Sequence, residues 1–187
     1  MPQSARHIVF ALYPGFVGLD LVGPLDVFSC AARLAERQGR PAPYRCHFVA
    51  RALGPVVSSS GLSVLADTTP DAFDAAVAGP GSPAPHTLVV PGGVTPGREG
   101  DDPELRAMVA GLAARARRVV SVCTGALLLA ACGLLDGRRA TTHWQACARL
   151  AAAYPAVRVE PDAIFVRDGG VVTSAGVTAG IDLALHL

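Results

Sequence analysis

The feature of this sequence that most restricts its fold is the alternation of short, unbroken apolar runs with longer segments of helical period. His7–Leu12, Thr87–Val90 and Arg118–Val122 show no polar alternation, so each predicts a strand covered on both faces. Between them, Leu21–Gln38 places Leu21, Val22, Leu25, Phe28, Ala32 and Ala35 near a 3.6-residue period, with Pro24 in the first turn. Asp101-Asp102-Pro103 opens another helix, to Ala116, with an acidic cap and a proline just inside. Strand alternating with helix predicts an α/β fold: a mostly parallel central sheet between two helical layers.

The remaining segments fit that plan. Tyr44–Ala50 predicts a second strand, and Val56–Leu65 a hairpin turning at Ser60-Gly61. Gly79–Pro85 reads as a surface loop. Helices are predicted from Thr124 to Leu135, over His143–Ala153 and from near Val177 onward. Val157–Val159, Ala163–Val166 and Val171–Thr173 predict short strands, the last two joined by the turn Asp168-Gly169-Gly170. No repeat or second domain boundary interrupts residues 1–187, which read as a single domain. The last helix reaches Leu187 without a glycine cap, proline or polar tail, which predicts that the natural chain continues.

Composition narrows the function. Hydrophobic residues make up 51% and charged residues 17%, enough apolar surface for a full core and unlike a disordered chain. The net charge of +1 offers no bulk attraction to nucleic acid or an anionic membrane. No apolar run approaches the length of a membrane span, and the first apolar run meets Pro14-Gly15 too soon for a secretory signal. The 5 cysteines form no Cys-x-x-Cys, which predicts reduced thiols in a cytoplasmic protein and neither a disulfide framework nor a zinc site. Neither a phosphate loop nor a dinucleotide fingerprint occurs, and no cofactor or metal is expected.

The strongest chemical signal is Val119-Val120-Ser121-Val122-Cys123-Thr124-Gly125-Ala126, a strand turning at once into a helix. Small residues two before and two after Cys123 suit a nucleophile elbow, where a tight turn crowds its flanks and pushes the central side chain outward. The helix N-terminus would favour a thiolate there; a merely buried cysteine is the plainer alternative. Val90-Pro91-Gly92-Gly93 ends another strand, and Gly92 and Gly93 could present N–H groups as an oxyanion hole or simply form a turn. Asp20 lies in an apolar frame: it could cap the helix or, beside a thiolate, be driven toward its protonated form and act as an acid. His143, beside Trp144, reads as a packing residue or as a partner for Cys123. Asp182 falls in the apolar last helix, where a buried acid would need a partner.

Taken together, Leu19-Asp20-Leu21-Val22-Gly23-Pro24, Ser59-Ser60-Gly61-Leu62, Val90-Pro91-Gly92-Gly93, Ser121-Val122-Cys123-Thr124-Gly125, Ala140-Thr141-Thr142-His143-Trp144 and Ser174–Asp182 resemble the ThiJ/PfpI superfamily. The resemblance runs from Ile8 to Leu187 and implies a flavodoxin-like three-layer sandwich, similar to class I glutamine amidotransferases. Two subfamilies share these motifs: isonitrile hydratases and the N-terminal domains of GlxA-like AraC-family regulators. The hydratase resemblance implies Cys123 as nucleophile, Asp20 as the acid beside it, Thr124 as a neighbour and Asp182 as a supporting acid. Such an enzyme needs no cofactor and adds water to an isonitrile, giving an N-substituted formamide. The superfamily's proteases have His where Thr124 stands, and its glyoxalases have Glu where Asp20 stands, so both fit less well. The hairpin wording from Tyr154 to Gly169 and Thr173-Ser174-Ala175-Gly176 are closer to the regulators. That resemblance implies a small-molecule-sensing homodimer that reaches DNA only through a C-terminal helix-turn-helix domain outside these 187 residues.

Overall fold

A computed structural model describes residues 5–77, 85–93 and 101–187. The predicted loop over Gly79–Pro85 lies, but for Pro85, outside the described residues. The main sheet holds six strands in the order β2-β1-β5-β6-β10-β9. These are β1 (Arg6–Ala11), β2 (Tyr44–Val49), β5 (Thr87–Val90), β6 (Arg118–Ser121), β9 (Phe165–Asp168) and β10 (Val171–Ser174). All neighbours are parallel except the β9–β10 hairpin. Successive strand residues point to opposite faces. Ile8, Val9, Phe10, Ala11, Leu88, Val89 and Val90 are nonetheless all buried, so both faces are covered.

The flanking helices are α1 (Gly18–Arg37), α2 (Pro70–Val77), α3 (Pro103–Arg115), α4 (Gly125–Ala131), α5 (Cys147–Ala153) and α6 (Ala179–His186). Helix α1 packs on α6, and α3 on α4. A hairpin of β3 (Gly54–Val57) and β4 (Ser63–Ala66) forms a separate sheet, as does the short parallel pair β7 (Arg139–Ala140) and β8 (Arg158–Val159). Among the described residues no helix is long and apolar enough to cross a membrane.

Three helices depart most from the sequence prediction. Helix α1 begins at Gly18, so Pro24 lies inside it and not in its first turn. The extra turn is held by tertiary contact: Val17 N–H donates to the Gly92 carbonyl at 2.7 Å, and Gly23 lies so close to α6 that a Cβ would meet Ile181 at 2.9 Å. Helix α4 stops at Ala131, short of Leu135. Gly133 takes φ +72° and Leu134 N–H bonds the Leu129 carbonyl at 3.0 Å, a glycine-terminated helix end. The segment predicted as one helix over His143–Ala153 divides into a 3-10 turn, Trp144–Ala146, and α5.

Candidate functional site

The parallel strands bring their C-terminal ends to one edge, and there the β1–α1, β5 and β6–α4 connections meet. Strand β6 ends at Ser121, one residue earlier than predicted, although Val122 N–H still reaches the Val90 carbonyl at 3.0 Å. Cys123 is thus the first residue past the ladder, and Gly125 opens α4. Its φ is +56°, the left-handed region that costs a non-glycine residue roughly 1–3 kcal/mol. The turn is fixed from both sides: Cys123 N–H donates to the Ala175 carbonyl at 3.1 Å, and its own carbonyl accepts from Thr142 Oγ1 at 2.8 Å.

Asp20 lies in the first turn of α1 and is fully buried. Its Oδ2 accepts from Gly92 N–H at 3.0 Å, while Oδ1 has no hydrogen-bond partner of ordinary geometry. The carboxyl couples to the Cys123 thiol. Burial raises Asp20 to about 6, opposed by the Gly92 N–H and the thiol. Burial also pushes Cys123 up to about 11, and the Asp20 charge adds to this. The Thr124 and Val177 N–H groups oppose the rise without cancelling it. Desolvation and the neighbouring carboxylate thus work against the thiolate expected at the helix N-terminus, and the two N–H groups work for it.

Gly92 and Gly93 reach the site in a different role from the one anticipated. Gly92 N–H is taken by Asp20, and Gly93 N–H donates to Thr124 Oγ1 at 3.0 Å. Thr124 Oγ1 in turn donates to the Gly93 carbonyl at 3.0 Å. The glycine turn thus positions the acid and the threonine, and the N–H groups at the sulfur come from Thr124 and Val177. Gly92 leaves no space for a side chain: a Cβ would sit 2.7 Å from Thr124 Oγ1 and 2.8 Å from Asp20 Oδ2.

His143 is half-buried beside the same loop without a bond to the thiol. Its Nδ1 accepts from Gln145 N–H at 3.3 Å, its ring neighbours Trp144, and it packs so tightly on Gly176 that a Cβ there would meet Cδ2 at 2.3 Å. Asp182 is exposed on α6, with no hydrogen bond to Cys123 or Asp20. The expectation of a buried acid there is corrected: α6 turns Leu183 and Ala184 inward and Asp182 out. Val177 and the Thr142 hydroxyl join the site without having been singled out. Val177 takes φ +48°, a tertiary effect with no local signal; the Thr141-Thr142 pair before His143 was visible, but not which hydroxyl turns inward. Among the described residues, no three His, Cys, Asp or Glu side chains gather to hold a metal, and all five cysteines are free.

Comparison with known proteins agrees with this fold. The model of the DJ-1/PfpI family matches residues 6–187. The isonitrile hydratase of Pseudomonas putida is 42% identical over 183 residues, 98% of this chain and 71% of that protein. The HTH-type transcriptional regulator CdhR of Pseudomonas aeruginosa is 35% identical over 95% of this chain, which spans only 48% of the regulator. Among solved structures, a ThiJ/PfpI family protein from Pseudomonas syringae superposes with a TM-score of 0.79 at 33% identity, covering 99% of this chain and 68% of its own.

Proposed function

The chain belongs to the DJ-1/PfpI family, and on that premise we propose that it is the ligand-sensing, dimerising domain of an AraC-family transcription regulator. The observation that carries this reading is the similarity of 95% of this chain to the transcriptional regulator CdhR. The buried Cys123 thiol, pushed up by burial and by the Asp20 charge beside it, suits a small-molecule pocket. Cys123, Asp20 and Thr124 are the ligand-facing residues, and Gly92 and Gly93 hold the last two in place. The regulators among the relatives support the same role, with DNA contacted by a helix-turn-helix domain joined beyond Leu187. The surface open to a second copy is an apolar groove of about 630 Å³ between α1 and α6, where Leu34 and Leu185 are 55% and 71% exposed.

A second reading, an isonitrile hydratase, is favoured by the similarity to the Pseudomonas putida enzyme and by the Cys123–Asp20 pair. In that chemistry Asp20 takes the thiol proton as sulfur bonds the isonitrile carbon, then returns it to that carbon, giving a thioimidate. Water adds to the thioimidate carbon and the C–S bond breaks. The products are the N-substituted formamide and the restored thiol.

Incubation of the chain with a panel of alkyl and aryl isonitriles, with formamide measured by mass spectrometry, separates the two. The sensor reading expects no turnover above the Cys123→Ala background. Turnover lost in that variant overturns it in favour of the enzyme.

A further inference from the structure

We propose that the opposite edge of the sheet carries a second site, which binds a phosphate group. Because β1, β5, β6 and β10 run parallel, their N-terminal ends collect away from Cys123. Arg6 starts β1, His86 precedes β5, Arg117 and Arg118 stand at the start of β6, and the Gly169-Gly170 turn precedes β10. With Arg167 of β9 these residues line one cavity of about 250 Å³, and Leu187 is also in the lining. Four guanidinium groups and an imidazole thus line one space with no acidic side chain in it, where, among the described residues, the terminal carboxyl group of Leu187 meets Arg118 alone. The nearest acid in sequence, Asp168, is engaged elsewhere: it pairs with Arg138 at 3.6 Å and accepts from the Arg139 N–H at 2.9 Å.

The cluster is organised, not a scatter of surface arginines. Thr87, fully buried, accepts from Arg118 Nη2 at 3.0 Å and Nε at 3.3 Å, and lies 3.1 Å from His86 Nδ1. Arg118 Nη1 donates to the Leu187 carbonyl at 3.2 Å. The guanidinium is therefore locked in place, half-buried, while Arg6, Arg117 and Arg167 make no side-chain hydrogen bond or ion pair among the described residues. Burial lowers Arg118 below its ordinary value; Tyr44 opposes this, and Arg167, Arg6 and Arg117 depress it further. Burial and the charges of Arg118, Arg6 and Arg117 lower His86. Like charges held together at this density, in a chain of net charge +1, are relieved by an anion that accepts several N–H donors at once. A phosphate, with its double charge and three or more acceptor oxygens, meets that requirement, and Arg forks suit its geometry.

The test is calorimetric titration of the chain with inorganic phosphate and with glycerol phosphate at constant ionic strength set by chloride. Saturable binding of either anion at one per chain is expected, weakened about tenfold or more by Arg117→Ala and by Arg167→Ala, each losing charge-assisted hydrogen bonds. Both residues are exposed, so circular dichroism of the variants should match the parent. Tighter binding of glycerol phosphate than of phosphate assigns the site to the phosphate of a larger molecule; the reverse assigns it to the free ion. Cys123→Ala should leave the titration unchanged, which separates this site from the sensing or hydratase reading. Equal heats from chloride alone, or unaltered affinity in both arginine variants, overturn the proposal.

Discussion

Cys123 and Val177 share an uncommon backbone sign, φ +56° and +48°, and the Val177 N–H opposes the rise of the Cys123 thiol. Neither is a glycine, so each holds strain that the surrounding contacts sustain. Replacement of Val177 by glycine removes that strain at the cost of a half-buried side chain and a freer unfolded chain. The expected net effect is within about 1 kcal/mol of neutral. Val172→Gly, in the fully buried centre of β10, should cost several times more. Urea denaturation of both variants measures the contrast.

Gly92 and Gly111 should respond oppositely to alanine. A Cβ at Gly92 collides with Thr124 and Asp20, whereas one at Gly111 in α3 meets nothing within 4 Å. Gly92→Ala is expected to destabilise by about 1–3 kcal/mol. Gly111→Ala is expected to stabilise by about 0.5–1 kcal/mol. Thermal melts of the pair check both signs.

Asp20 should set the reactivity of Cys123. Its charge helps hold the thiol at about 11, so Asp20→Asn lowers that value. Iodoacetamide labelling, followed by mass spectrometry of the Cys123 peptide, should be faster in the variant at pH 8. Its pH profile should shift to lower pH. An unchanged profile would show that burial alone sets the thiol.

The same substitution should alter stability with a defined pH dependence. Asp20 stands at about 6 when folded against an ordinary 3.8, so the folded chain binds its proton more tightly than the unfolded one. The resulting stabilisation is complete below about 4 and is lost as pH rises through about 6. Asp20→Asn carries no charge to bury and should exceed the parent by up to about 3 kcal/mol at pH 8. That advantage should shrink toward pH 4. Denaturant titrations at the two pH values supply the comparison.

His7 and His47 act in the opposite sense. Their ring nitrogens lie 2.8 Å apart, the rings stack, and Phe73 packs edge-on against both. Burial lowers both, with Arg45 adding to His7 and the His7 charge and Arg45 to His47, while Asp67 opposes the shift of His47. A lowered histidine stays neutral in the fold while the unfolded chain takes up protons, so stability falls as pH drops through 6.5. His47→Phe keeps the contact with Phe73 and should flatten the loss of melting temperature between pH 7 and 5.5. A parent and variant with equal slopes would remove the pair from the acid response.

Local chemistry was readable where one residue type suffices for one task. Strand β5 has the predicted bounds, and Asp102 caps α3 with both Glu104 and Leu105 N–H groups on its carboxylate. The elbow at Cys123 could be read because crowding there demands small flanking residues. What escaped was tertiary. Helix α2 passed unnoticed, although Thr69-Pro70-Asp71 carries a cap, a first-turn proline and an acid. The start of α1 depends on a carbonyl from Gly92, far along the chain. The outward turn of Asp182 depends on which face of α6 meets α1, and the use of the Gly92 and Gly93 N–H groups depends on side chains from two other connections. No window of sequence contains these relationships.

The bond from Gly92 to Asp20 spans 72 residues, that from Thr124 to Gly93 spans 31, and that from Thr142 to Cys123 spans 19. None can form within a single hairpin or helix; each waits for β1, β5, β6 and β10 to find their order in the sheet. Closing loops of that length is slow relative to forming local structure. The thiol pocket should therefore be among the last parts of the molecule to appear during refolding. An early intermediate would expose Cys123 to alkylation long after its helices had gained their circular dichroism signal.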